Sequence, residues 1–178
     1  MTRLWRVATP PEKGLRVARV LACFCILSAC APFPGSEQGA YRDLDAPIGA
    51  TTRFDPVRFA GDWVLVSRFG SAVEGRVGFT HDAQQNTMTL SSNVIPEHTG
   101  TYDIAGVGIL QSQRGGDDPL IVMWVDEGFR TAVIGTENGD FGAILNRKRD
   151  IPADRAVAAR EVLGFYGWDI SKLQRTKP

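Results

Sequence analysis

Cysteine is nearly missing from this 178-residue chain: Cys23, Cys25 and Cys30 are the only three, and none occurs after Cys30. From Ala31 onward no disulfide, thiolate metal site or thiol nucleophile is available. Histidine is almost as scarce, with His81 and His98 alone. No His-Glu-X-X-His spacing accompanies them, so both read as surface residues rather than zinc ligands or bases. No serine sits in a Gly-X-Ser-X-Gly elbow, and Gly106-Val-Gly108 is too short for a phosphate loop. Asp117 and Asp118 read as part of a loop, not as a metal pair. An excess of one charge is missing too, with 20 basic against 20 acidic residues. The one markedly apolar run, Val20 to Ala29, has ten residues, too few for a helix to span a hydrocarbon layer of about 30 Å.

That run follows a basic stem carrying Arg3, Arg6, Lys13, Arg16 and Arg19, and stem plus short apolar core is the form of an export signal. Leu27-Ser28-Ala29-Cys30 resembles the lipobox of bacterial lipoproteins. The resemblance implies cleavage after residue 29 and acylation of Cys30, palmitate being a typical chain. More than one chain is needed for stable anchoring. Ala31 in place of Asp implies the outer membrane, periplasm-facing. Removing residues 1–29 of 178 leaves 149, a single-domain length, with a net charge of about −4 at neutral pH. This balance excludes a nucleic-acid partner, which would require a dominant basic face.

Residues 30–53 carry Pro32, Pro34, Gly35, Gly39, Pro47 and Gly49 with little periodicity. They read as a lipidated N-terminus and tether. The alternative is an ordered arm laid along the domain through Tyr41, Leu44 and Ile48. From Phe54 the pattern changes to short strands: Trp63–Phe69, Gly75–His81, Thr87–Ser92, Thr101–Ala105, Val107–Gln113, Leu120–Val125, Phe129–Thr136 and Phe141–Arg147. Residues 101–113 are either two strands split at Gly106 or one bent strand. Glu137-Asn138-Gly139-Asp140 and Asp126-Glu127-Gly128 are hairpin turns. Parallel strands would need crossovers for which no room exists, so the sheet is an antiparallel meander. Closure into a barrel removes its two edges. Leu120–Val125 is apolar on both faces and needs an outer cover. A helix starting at Pro152-Ala-Asp154 supplies it, with Ala156, Ala159, Leu163 and Tyr166 on one face and Gly164 or Gly167 ending it. Trp168, Ile170 and Leu173 then pin the tail to the sheet. The fold class is thus all-β: an antiparallel, eight-stranded up-and-down barrel over residues 54–178 with a C-terminal helix packed on it.

Four segments carry a family resemblance. Gly61-Asp-Trp63 enters the first strand. Trp124-Val-Asp126 with Phe129 and Ala132-Val-Ile-Gly135 spans strands six and seven. Ile144-Leu-Asn-Arg147 ends the eighth, and Gly167-Trp-Asp-Ile-Ser-Lys-Leu173 closes the chain. In this order they resemble the lipocalins, specifically the bacterial outer-membrane lipoprotein branch. The resemblance implies that Trp63 closes one barrel end with Arg147 laid across it, a structural pair suited to cation–π contact. It also implies a noncatalytic carrier without cofactor, metal or nucleic acid, holding a small apolar ligand such as a fatty acid or lysophospholipid. Only 60 residues lie between Trp63 and Trp124, fewer than lipocalins usually have, with the shortfall around strands four and five. The walls of the cup are therefore short. Phe79, Met88, Leu90, Ile109 and Met123 either line a cavity or fill it. An interior volume of roughly 300 Å³ or more supports the carrier. A filled interior supports the alternative, a structural or protein-interaction lipoprotein.

Overall fold

A computed structural model describes residues 41–177. The expected export signal (1–29) and acylated Cys30 lie outside the described residues, as does the tether up to residue 40. A one-turn helix α1 (Pro56–Phe59), capped by the Asp55 carboxylate on two backbone amides, leads into β1 (Gly61–Phe69). β2 (Arg76–Asp82), β3 (Thr87–Ser92), β4 (Gly100–Gly106), β5 (Ile109–Ser112), β6 (Leu120–Val125), β7 (Thr131–Thr136) and β8 (Gly142–Asn146) follow. Each pairs antiparallel with the next, and β1 pairs with both β2 and β8. The sheet is therefore a closed eight-stranded barrel. The chain does split at Gly106: β4 and β5 are separate strands joined by a tight turn at Gly108, whose φ is +74°.

Inward side chains alternate as a pleated strand requires, except at three bulges. In each, one strand contributes an extra residue: Val66 in β1, Ala105 in β4 and Met123 in β6. A bulge flips the parity of everything beyond it. In β1 the consequence is large. Trp63 and Leu65 point into the barrel, whereas beyond Val66 it is Arg68 that turns inward and Phe69 outward.

β6, β7 and β8 are buried on both faces, because an outer layer covers them. Its main piece is α2 (Ala153–Phe165), which buries Ala159 and Leu163 completely. Asp154 is its first-turn acid rather than its cap, the N-cap position being Pro152. The helix ends in a Schellman motif: Trp168 N–H donates to Leu163 O at 3.0 Å and Gly167 N–H to Gly164 O at 3.1 Å, with Gly167 at φ +83°. β9 (Leu173–Arg175) then pairs with β1. The second piece of the cover corrects the tether reading for residues 41–53, which form an ordered arm. Tyr41, Ile48 and Ala50 pack into the outer apolar cluster, although Leu44 stays exposed. Arg42, 6% exposed, donates to the carbonyls of Tyr166, Glu137 and Ala46. Proline and glycine stop this arm from being helical, yet its carbonyls and amides still find partners on the barrel.

Asp126 organises the β6–β7 turn. Its carboxylate accepts from the amides of Arg130 at 2.5 Å and Thr131 at 2.6 Å and from Arg130 Nε at 3.0 Å, with Arg155 of α2 at 3.8 Å. Burial pushes its pKa up, but these hydrogen bonds and the Arg130 charge outweigh burial and hold it below the usual carboxylate range. The contribution is fully present above the unfolded value of about 3.9 and is lost as pH falls through the lower folded value. Asp126→Asn is therefore expected to cost about 2 kcal/mol at pH 7. The gap to wild type should close progressively below about pH 4, as urea titrations at pH 7, 4 and 2.5 would show. A gap of constant size would refute this assignment.

Candidate functional site

The two barrel ends differ. At the closed end, α1 lays Phe59 across the opening, where it contacts both Trp63 and Phe79 (ring centroids 5.0 and 4.9 Å). The Arg147 guanidinium stacks over the Trp63 ring at 3.9 Å. It also donates to five carbonyls, those of Asp62, Arg58, Phe59, Ala60 and Phe129, at 2.8–3.2 Å. Trp63 Nε1 donates to Phe59 O at 2.9 Å. One planar cation thus gathers the end of α1, the start of β1 and the β6–β7 turn onto the end of β8. Burial draws the guanidinium pKa below its ordinary value, and Asp62 acts in the opposite sense. The Gly61 of the Gly-X-Trp segment has a physical reason: its φ is +102°, and a Cβ there would lie 3.1 Å from Arg147 Nη1. Arg58 stacks on the Phe129 ring nearby, at 4.1 Å. The structure therefore brings Trp63 and Arg147 together as neighbours, with no concavity between them and the core.

The barrel interior is packed. Phe79, Met88 and Leu90 do point inward, but each is at most 2% exposed, and no member of the inner cluster exceeds 4%. A ligand-sized void would leave exposed area on its lining, so these side chains touch each other instead. Two of the expected lining residues are elsewhere. Ile109 is 38% exposed and pairs with Ile121 on the outer face, its neighbour Leu110 taking the inward position. Met123 is the β6 bulge residue and packs in the outer cluster beneath α2. Apolar character alone did not distinguish the two faces, because the outer face here is also covered.

The concavity lies at the open end, a cup of about 680 Å³. The β3–β4 connection, with its 3-10 turn Pro96–His98, folds over the mouth, and Ile95 plugs the barrel with no exposed area. Inward-turned Arg68 latches this segment, donating to Val94 O at 3.1 Å and to Glu97 at 3.2 Å. Tyr102 donates its hydroxyl to His98 O at 2.6 Å. The His98 ring lies on Phe141, 4.0 Å between centroids. Thus His98 is not the surface residue that its loop position suggested. Burial lowers its pKa against the pull of Glu97 and Asp140. Arg68 is the cationic member of the lining, against Glu97, Asp117, Asp118 and Asp140. Asp117 accepts from Ser112, Asp118 from the Asn138 amide, and Asp140 from Thr136 and Asn138. These bonds shape the rim and leave it net acidic. No side chain hydrogen-bonds the His98 ring among the described residues, and no group of three or more metal-ligating side chains occurs among them.

Solved structures were compared with this barrel. It superposes on the cockroach allergen Per a 4 (TM-score 0.55, 14% identity, 76% of this chain and 96% of that one). Lobster apocrustacyanin A1 (0.52, 13%, 74% and 89%) and the siderocalin Ex-FABP (0.52, 12%, 68% and 95%) are similar to it as well. The chain has a lipocalin fold. At these identities the likeness concerns the fold alone, and no family model or curated protein matches the sequence. Within the lipocalin fold, the cup described above is the open end of the barrel, and the Arg147–Trp63 pair belongs to the closed end. Sequence reasoning missed Arg68, Ile95, His98, Tyr102 and Phe141 at the mouth. Of the residues read from the sequence as loop, Asp117 and Asp118 belong to this cup.

Proposed function

We propose that this chain is a noncatalytic, lipid-anchored lipocalin of the bacterial outer membrane, facing the periplasm, that binds a small amphipathic ligand at its open end. The observation that carries this reading is the cup of about 680 Å³, large enough for a small ligand and lined by both aromatic and charged groups. Acylated Cys30 would hold it at the membrane. Of the two ligand classes expected, a fatty acid fits poorly, because its carboxylate would meet Glu97, Asp117, Asp118 and Asp140 with only Arg68 to offset them. A lysophospholipid with an ammonium head group fits better, its phosphate toward Arg68 and its amine toward the rim carboxylates. Its acyl chain would lie over Tyr41, or enter the barrel if Ile95 withdraws.

Native mass spectrometry of protein extracted gently from membranes tests this directly. A retained zwitterionic lysophospholipid, weakened by Asp118→Asn with Asp140→Asn, is the expected result. Ile95→Ala should lower stability by about 2–4 kcal/mol and increase acyl-chain uptake by opening space beneath the cup. The packed interior favours a second reading, a protein-interaction lipoprotein whose barrel is only a scaffold. Ligand-free protein in every extract, with no added mass in Ile95→Ala, would select it.

A further inference from the structure

Away from the barrel mouth, the outer surface over β1 carries a separate groove of about 920 Å³. Val64 lies on its floor. Glu74–Arg76 form one wall and Arg147–Arg149 the other. A smaller hollow sharing Val64, Glu74 and Arg149 continues it to Arg175. Four exposed cations, Arg76, Lys148, Arg149 and Arg175, therefore line one continuous surface. Glu74 is paired with Arg149, and Asp150 is the other acid on this strip. Beyond Arg175, Lys177 lies where the chain bridges to Val73. The cations are set on a firm frame. Asn146, 2% exposed, donates to the carbonyls of Lys148 and Asp150 at 2.7 and 3.2 Å, which fixes the course of that wall. Such a strip is unexpected on a chain whose remaining surface is acidic; Arg147 of the closed-end pair borders it, and the mouth cup does not share it.

We infer that this strip is an electrostatic docking surface for the anionic phosphate head groups of a membrane. Charge complementarity selects the partner: Arg76, Lys148 and Arg175, with Arg149 shared with Glu74, over a shallow, open groove suit an array of phosphates better than one enclosed ligand. The length and exit point of the preceding chain agree. Tyr41 stacks on Phe69, and its hydroxyl lies against Gly70, within the β1–β2 region that leads to Val73 and the strip. Cys30 precedes Tyr41 by eleven residues, a reach of at most about 40 Å. A lipid on Cys30 would thus keep the strip close to the bilayer. That purpose rests on the anchored reading, but the charge recognition does not.

The two are separable by experiment. Among the described residues both apolar clusters run from Tyr41 onward, so the chain begun at Ala31 keeps every packing contact described above. It should co-sediment with vesicles of phosphatidylglycerol and phosphatidylcholine but not with phosphatidylcholine alone, and 0.5 M salt, at roughly the concentration that collapses the screening length to a few ångströms, should release it. Each cation near such a surface strengthens binding roughly fivefold, so Arg76→Gln with Lys148→Gln should weaken it about 25-fold. Gln substitutions at Arg53 and Arg160, outside the strip, should leave it unchanged, with melting curves verifying that both variants fold. Equal binding to both vesicle types, no binding to either, or loss in the Arg53/Arg160 variant would overturn the inference. Intact-mass measurement of acylated Cys30 tests the anchor independently.

Discussion

Arg147→Ala is expected to lower the free energy of unfolding by about 3 kcal/mol and the melting temperature by roughly 10 °C. The physical case is that one side chain serves five backbone carbonyls while stacking on Trp63. Truncation would leave those acceptors to water where water can reach and unpaired where it cannot. It would also uncouple α1 from the β8 end, so the loss should exceed that of a solvent-exposed arginine by several-fold. Arg147→Lys is the informative control. An ammonium keeps the charge but has three donors and no plane to lay on the indole, so it should recover less than half of the loss. Chemical denaturation of the three proteins side by side measures this. Full rescue by lysine would show that charge alone matters and that the stacked, forked geometry does not.

Trp168→Ala should be more damaging still, by about 4 kcal/mol. Trp168 is 3% exposed and stacks on Phe69 at 4.8 Å between ring centroids. Its six-membered ring lies on Gly135 and Gly142, where an added Cβ would come within 2.7 and 2.5 Å of it. Two adjacent glycines on β7 and β8 thus form the slot that receives the indole, and alanine would leave that slot empty. Gly142→Val should cost a similar amount by the opposite route, pushing the ring out through overpacking. Trp168→Phe separates volume from polarity. Among the described residues the buried indole N–H has no hydrogen-bond partner, so phenylalanine trades that donor for some lost volume. It should lose about 1 kcal/mol or less. If Trp168→Phe is as destabilising as Trp168→Ala, the indole N–H contributes in a way this geometry does not provide.

These two residues also show how unevenly the molecule was legible. Trp63 and Arg147 lie 84 positions apart, and their pairing came from a family resemblance, not from any local pattern. Trp168 was read as a residue that pins the tail, but its slot was invisible. The pairing of Gly135 with Gly142 is a matter of register across β7 and β8. The Gly-X-Trp segment was recognisable, whereas the reason for its glycine required the position of Arg147.

The mouth was the least legible part. Arg68 reads as an outward residue by alternation from Trp63, and a single extra residue at Val66 reverses that. Nothing local marks Val66 as a bulge, since an apolar β-branched residue is what any strand position accepts. Ile95 follows the same logic: it lies between two strands in the sequence, and only the closed barrel offers the opening that it plugs. Met123 failed for a related reason, because a covered outer face accepts methionine as readily as the interior does.

What the sequence by itself determined was the set of local alternatives: short strands with hairpin turns, the helix from Ala153 ending at its glycine motif, and a sheet without room for parallel crossovers. Periodicity, turn chemistry and connection length act over a few residues, so they are readable in one dimension. The tertiary structure alone decided whether the barrel was hollow, which way Arg68 pointed, and where cations gathered over β1. Those outcomes depend on bulge positions and on contacts between residues far apart in the chain, where one inserted residue exchanges inside for outside. The interior is therefore packed, and the cup sits at its mouth.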